Sequence, residues 1–153
     1  MKTRFVQIAV LLVLGAIATM TLTAQQPAPP PGLVTNQELL AGLPADGSRW
    51  LTYGGNYSNH RHSPLTQINT ENVMKLQPQW TFQTATLGNF QTTTLFRDNV
   101  LYATGPLNVA WAIDARTGRQ IWRYRRELPD GLTACCGLVD RGFGVLVDKL
   151  IMV

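Results

Sequence analysis

Cys135 and Cys136 are neighbours in the chain and are its only two cysteines. Consecutive Cα atoms lie about 3.8 Å apart across a trans peptide, closer than the roughly 4.4–6.8 Å of ordinary disulfides. A bond between them would close a small, strained ring. It would cross-link no loop, so it would give almost none of the chain-entropy stabilisation of a long-loop bridge. A bridge of that kind points to a local task, whereas the alternative is a pair of buried thiols, a common state for free cysteine. Arg141 follows a few residues later. Its planar guanidinium is suited to holding a carboxylate through two parallel hydrogen bonds, although alone it reads as a surface arginine beside a turn. Gln91 carries both a donor and an acceptor, or it is simply a polar strand residue facing solvent. His60 and His62 stand two apart, but no other histidine exists and no acidic residue is near in sequence. An exposed turn explains them better than a metal.

The start of the chain bears on the cysteines. Lys2 and Arg4 precede an almost unbroken apolar run, Phe5 to Met20, and small and polar residues follow up to Ala24. This is the layout of a secretory signal, residues 1–24, with cleavage expected after Ala24. The run is short for a bilayer span, which takes about 20 apolar residues; left uncleaved, it would hold the protein at the membrane. Export places the cysteines in an oxidising, periplasmic compartment, which favours the bridge. The net charge of +4 falls to +2 once Lys2 and Arg4 leave. The remaining arginines alternate along strand-like stretches or flank turns, so a solvated sheet face accounts for them and nucleic acid is not expected as a partner. Residues 25–34 open on a proline-rich stretch (QQPAPPPG) and read as a linker. Residues 35–153 suffice for one small domain. The chain stops inside an apolar, strand-like run at Val153, so a longer protein is expected to continue from it.

The elements that must position these side chains are mostly strands. Asn36 is the expected N-cap of a short helix ending at Gly42, and Asn69 that of a helical turn carrying Val73 and Leu76. Trp50 to Pro64, rich in Gly, Asn, Ser and Tyr, should be irregular. Gln79 to Gln83 alternates like a strand. Strand–turn–strand units follow: Thr92–Phe96 and Val100–Ala103 around Asp98-Asn99, Ala110–Asp114 and Gln120–Arg123 around Thr117-Gly118, and Gly144–Val147 and Leu150–Val153 around Asp148-Lys149. Trp50, Trp80, Trp111 and Trp122 should pack between strands. The pattern is antiparallel and all-β; a propeller, a sandwich and a barrel all satisfy it.

Three segments together resemble the quinoprotein alcohol dehydrogenases, secreted enzymes that use pyrroloquinoline quinone (PQQ). The first is Trp50-x3-Gly54, Ser63, then Ile68-Asn69-x2-Asn72-Val73-x2-Leu76-x3-Trp80, similar to the family's N-terminal signature. The second, Ala112-Ile113-Asp114-Ala115-Arg116-Thr117-Gly118-Arg119-Gln120-Ile121-Trp122, resembles its propeller-blade repeat. The third, Cys135-Cys136-Gly137-Leu138-Val139-Asp140-Arg141-Gly142, resembles its vicinal-disulfide motif. The likeness runs from about Thr35 to Val153. Arg49, Gly55, His62 and Gln79 depart from the family's preferences at positions not expected to touch cofactor. Gln91 stands where the family often has a Glu that hydrogen-bonds the quinone.

The resemblance implies an eight-bladed β-propeller, of which this chain would supply the entry segment and the first blade or so. It implies PQQ as cofactor, with Cys135 and Cys136 bridged as a flat floor and Arg141 and Gln91 binding it. It also implies Ca²⁺ and a catalytic Asp, whose segments would lie beyond Val153, so no catalytic residue is assigned here and the chain alone should be inactive. The expected reaction is oxidation of a primary alcohol to an aldehyde, with electrons passing to a cytochrome c or a membrane quinone. The rival is a non-enzymatic propeller with similar repeats, acting as a scaffold for outer-membrane assembly, which has no reason to carry Cys135-Cys136 followed by Arg141.

Overall fold

The computed structural model describes residues 33–152; the expected signal segment and most of the linker lie outside them. The first element is a short helix, α1 (Asn36–Ala41). Its N-cap is Thr35, one residue earlier than expected. The Glu38 amide donates to Thr35 Oγ1 at 3.2 Å and the Thr35 amide to Glu38 Oε2 at 2.9 Å. This capping box satisfies two otherwise orphan N–H groups. Glu38 also accepts from Arg97 Nη1 at 3.1 Å, tying the helix to the sheet. Val34, the last residue of the expected linker, is fully buried and exchanges two 2.8 Å backbone bonds with Val147.

Seven strands follow: β1 (Arg49–Trp50), β2 (Leu95–Arg97), β3 (Val100–Gly105), β4 (Val109–Asp114), β5 (Gln120–Arg125), β6 (Gly144–Leu146) and β7 (Lys149–Ile151). The first five form one antiparallel sheet in chain order, and β6–β7 is a separate hairpin. Asp98 and Asn99 turn β2 into β3 with φ of +51° and +60°, the two positive values a tight hairpin matching strand twist requires. The last hairpin turns one residue earlier than expected, on Val147-Asp148, since Leu146 pairs with Lys149.

β4 is the centre of the sheet. Successive strand side chains point to opposite faces, and both faces of β4 are buried. Val109, Trp111 and Ile113 join one cluster with Trp80, Phe82, Leu101 and Ala103. Ala112 joins the other, with Leu95, Val100, Tyr102, Val34 and Val145. Trp111 is 1% exposed; Phe82 meets it edge-on at 6.0 Å and Phe90 stacks on it at 6.2 Å. Truncating such a side chain costs about 3–5 kcal/mol.

Two expected strands come out differently. Gln79 to Gln83 joins no ladder. It lies extended across the sheet face, with Trp80 and Phe82 turned inward and Gln79, Thr81 and Gln83 outward. Any extended chain alternates with period two, so the pattern predicted the direction of these side chains and not a pairing partner. Thr92 to Phe96 is a strand only from Leu95; Thr92 and Thr93 leave the ladder to make other bonds, described below. All four tryptophans pack against the sheet or its turns: Trp122 lies 6.3 Å from Tyr102, and Trp50 abuts Gly55.

The β4–β5 turn shows how the blade repeat works. Asp114 Oδ1 accepts from the amides of Arg116 and Thr117 at 2.9 and 3.1 Å. Gly118 takes φ +71° and its face lies against the Trp80 ring, which a Cβ would strike at 2.5 Å; Trp80 Nε1 then donates to the Ala115 carbonyl at 3.0 Å. Asp114 and Gly118 of the repeat, with Trp80 from outside it, thus serve one turn. The backbone bond from Arg116 is the chief reason the Asp114 carboxyl sits below its ordinary value. Because the folded carboxyl holds its proton less tightly than the unfolded one, its support is complete above the ordinary pKa of about 3.9 and is lost on acidification through the lowered value. Asp114→Ala is expected to lower the melting temperature by several degrees at pH 7, and Asp114→Asn, which keeps the acceptor, by much less. Thermal melts across pH 3–7 check both, and the gap between wild type and Asp114→Ala should close at the acid end.

Candidate functional site

The cysteines sit at the corner of a turn. The Gly137 amide donates to the Ala134 carbonyl at 3.2 Å, which places Cys135 and Cys136 at the two central positions of a four-residue β-turn. Gly137 ends it with φ +86° in open space, so backbone conformation rather than crowding calls for glycine there. Both cysteines are exposed, against the buried-thiol alternative, with their Sγ atoms 3.0 Å apart and held as thiols in this structure. The loop is tied to the sheet through the Leu107 amide, which donates to the Leu138 carbonyl at 3.0 Å.

Four residues beyond the turn, Arg141 donates through Nε to Gln91 Oε1 at 3.2 Å. The two candidates, 50 residues apart in the chain, are therefore partners. Their backbones make this contact possible. Thr93 and Gly142 form an isolated parallel bridge, with the Thr93 amide donating to the Arg141 carbonyl at 3.0 Å. Gly142 has φ +132°, and a Cβ there would lie 2.7 Å from the Thr93 carbonyl oxygen. Only glycine lets the two strands approach so closely. On the other side, Thr92 Oγ1 accepts from the amide and hydroxyl of Thr104 at 3.1 and 3.0 Å, and Thr104 is fully buried. Thr92 therefore left the ladder to bond β3 through its side chain, and Thr93 left it to bridge Gly142.

An Nε–H must face an acceptor, so the Gln91 carbonyl points at Arg141 and its NH₂ group points away. Among the described residues that NH₂ has no partner, and Arg141 forms no ion pair. A Glu at position 91 would neutralise the arginine, whereas Gln leaves its charge in place and adds two donors. The rim of this site is thus an uncompensated cation beside an amide, both exposed, which suits an anionic, oxygen-rich ligand. No hydrogen bond joins the Cys135–Cys136 turn to Arg141 or Gln91 among the described residues. A cleft of about 380 Å³ borders the cysteine loop at Ala134, Gly137 and Leu138. His60 and His62 are exposed, and the Asn56 amide donates to His60 Nδ1 at 3.0 Å. Among the described residues there is no group of three or more His, Cys, Asp or Glu able to hold a metal, and no helix long and apolar enough to cross a membrane.

A residue the sequence reading passed over is Asp140, buried at 7% exposure and bonded to the Gly142 amide at 2.8 Å. The Asp-x-Gly spacing is a recognisable turn signal, but it was read only as part of a longer motif.

An antiparallel sheet with an Asp–Thr-Gly turn, followed by a vicinal-cysteine turn and a paired arginine, is consistent with one blade of a β-propeller. Comparison with known proteins gives the particular family. Residues 50–149 match the family model described as "PQQ: Glucose/ethanol/alcohol dehydrogenase, beta-propeller domain", and the chain belongs to this family. It is 34% identical over 147 residues to a quinoprotein alcohol dehydrogenase of Pseudomonas putida, covering 94% of this chain and 23% of that protein. It is 42% identical over 104 residues to the 1-butanol dehydrogenase (quinone) of Thauera butanivorans, covering 65% and 16%. The solved structure of a quinohemoprotein alcohol dehydrogenase from Pseudomonas putida superimposes with a TM-score of 0.68 at 33% identity, over 80% of this chain and 18% of that one. The chain therefore spans less than a quarter of the length of these relatives.

For PQQ binding to the complete protein, followed by tryptophan fluorescence, Arg141→Ala is expected to weaken affinity by about 30-fold, the scale of one charge-assisted hydrogen bond. Arg141→Lys keeps the charge but not the planar fork and should fall between the two. Equal affinities in all three proteins would remove Arg141 from the site.

Proposed function

We propose that this chain is the N-terminal part of an exported, PQQ- and Ca²⁺-dependent alcohol dehydrogenase. The observation that carries the reading is the Arg141–Gln91 pair, built beside a vicinal cysteine turn on a blade of this family. The residues fit the cofactor. PQQ is a flat tricarboxylate with an ortho-quinone, and it needs cationic and N–H donors around its oxygens and a flat surface under its ring. Arg141 supplies a guanidinium whose terminal nitrogens bond none of the described residues, and Gln91 supplies two free amide donors. The exposed Cys135–Cys136 turn supplies the floor, bridged once the exported thiols have each lost a hydrogen to the oxidants of the periplasm. As a pair of adjacent residues it lacks the Cys-x-x-Cys geometry of redox shuttles, so its part is to support and shield one face.

When bound, PQQ supplies an acceptor for the two electrons and two protons that leave a primary alcohol as it becomes an aldehyde. Arg141 and Gln91 would hold and orient oxygens of that group, a task suited to a fixed cation and preoriented N–H donors. The reading assigns the general base and the Ca²⁺ ligands to segments following Val153. It assigns reoxidation to a cytochrome c or a membrane quinone, acceptors that appear in the names of two Thauera butanivorans relatives. The scaffold alternative has no comparable support from the cysteine turn or the arginine pair.

The complete protein, loaded with PQQ and Ca²⁺, is expected to reduce cytochrome c or an artificial electron acceptor when given ethanol or 1-butanol. Reduction with glucose but no alcohol, or none with either, would overturn the reading. Peptide mapping without reductant should find the Cys135–Cys136 peptide two hydrogens lighter than its reduced form. Two free thiols in the exported protein would remove the proposed floor.

A further inference from the structure

Asp140 is the only buried carboxylate among the described residues. It forms no ion pair there, and a buried polar side chain is expected to have a hydrogen-bonding task. Its Oδ1 accepts from the amide of Gly142 at 2.8 Å. That bond spans two residues and closes an Asx turn over Arg141, the residue in between. The carbonyl of Arg141 is held from the other side by the Thr93 amide at 3.0 Å. The peptide group that joins Arg141 to Gly142 is thus pinned at both ends, its N–H by a side chain and its carbonyl by a bridging strand. From this fixed base the side chain reaches Gln91 Oε1 at 3.2 Å.

An exposed arginine with four rotatable bonds holds its direction poorly unless its backbone is fixed. The hydrogen bond to Gln91 alone is on the rim and exposed, where such bonds contribute little. The burial of Asp140 is better explained by what it does to Arg141 than by any packing gain. We infer that Asp140 is a positioning residue: its carboxylate oxygen, through the Gly142 amide, sets the backbone from which Arg141 reaches the cofactor. It touches no ligand itself. The requirement is for an acceptor oxygen at that distance from the main chain, not for a negative charge. The inference rests on the assignment of Arg141 to the PQQ site made above.

The test uses the complete protein, with PQQ as the probe, reading affinity by tryptophan fluorescence and stability by thermal melting. Asp140→Asn keeps an acceptor oxygen in place and is expected to bind PQQ within about twofold of wild type. Asp140→Ala removes the acceptor, and Asp140→Glu carries it one methylene too far; both should weaken binding by roughly tenfold, as loss of a supporting partner does at other sites. A role confined to stability is separated by a double-mutant cycle. In an Arg141→Ala background, Asp140→Ala should still lower the melting temperature but should weaken PQQ binding no further. If the two losses in affinity instead multiply, Asp140 does not act through Arg141 and the inference fails. It fails also if Asp140→Glu binds like wild type while Asp140→Asn does not, because charge would then be the requirement. Should Asp140→Ala not fold, the Asn and Glu variants carry the same decision. Absence of PQQ binding by the wild-type protein would refute the functional assignment itself, a result distinct from any of these.

Discussion

The site depends on one close approach of backbone to backbone. Gly142 lies so near Thr93 that a Cβ would stand 2.7 Å from the Thr93 carbonyl oxygen, and the parallel bridge between them joins two stretches of chain that the hairpin order of the sheet would otherwise keep apart. One stretch enters β2 and carries Gln91. The other leaves the cysteine turn and carries Arg141. Without the bridge each side chain would be an ordinary exposed polar group. With it, the amide and the guanidinium are hydrogen-bonded at 3.2 Å and share one rim.

The rest of the fold keeps that bridge in place. β4, apolar on both faces, is the wall against which the extended 79–83 segment, β3 and the α1 region pack. Phe82 and Phe90 flank Trp111, and Phe90 immediately precedes Gln91, so the aromatic cluster fixes the entry to the site as well as the sheet. Thr92 extends this hold through its bonds with Thr104. At the far side, the hairpin β6–β7 is closed over the entry segment by the Val34–Val147 exchange. Like charges directly opposite one another in a sheet are unfavourable, and Arg49 opposite Arg97 is such a pair. Arg97 is met by Glu38 and Asp98, which is where the capping-box glutamate serves the sheet as well as its helix.

Much of this was legible in the residues. Asp98-Asn99 and Thr117-Gly118 marked two hairpins because their backbone demands are local. Cys135 and Cys136 were singled out by their adjacency, and Arg141 by the family motif that follows them. What escaped was non-local. Alternation in 79–83 predicted which side chains turn inward, yet an extended segment laid across a face has the same period as a paired strand. Thr92 and Thr93 looked like strand residues because their bonds go to Thr104 and Arg141, distant positions that no local pattern reveals. The N-cap at Thr35 was readable from Thr-x-x-Glu and was placed one residue late. Gln91 was flagged only through family likeness; its partnership with Arg141 required the fold. The orientation of its amide, carbonyl inward and NH₂ outward, follows only from that partnership.

The most direct test of the account is a structure of the complete protein with PQQ bound. The account requires a carboxylate or quinone oxygen of the cofactor within hydrogen-bonding reach of the Arg141 guanidinium and the Gln91 NH₂ group, with the ring lying over Cys135 and Cys136. A cofactor seated elsewhere, with Arg141 and Gln91 facing water or a neighbouring blade, would contradict it.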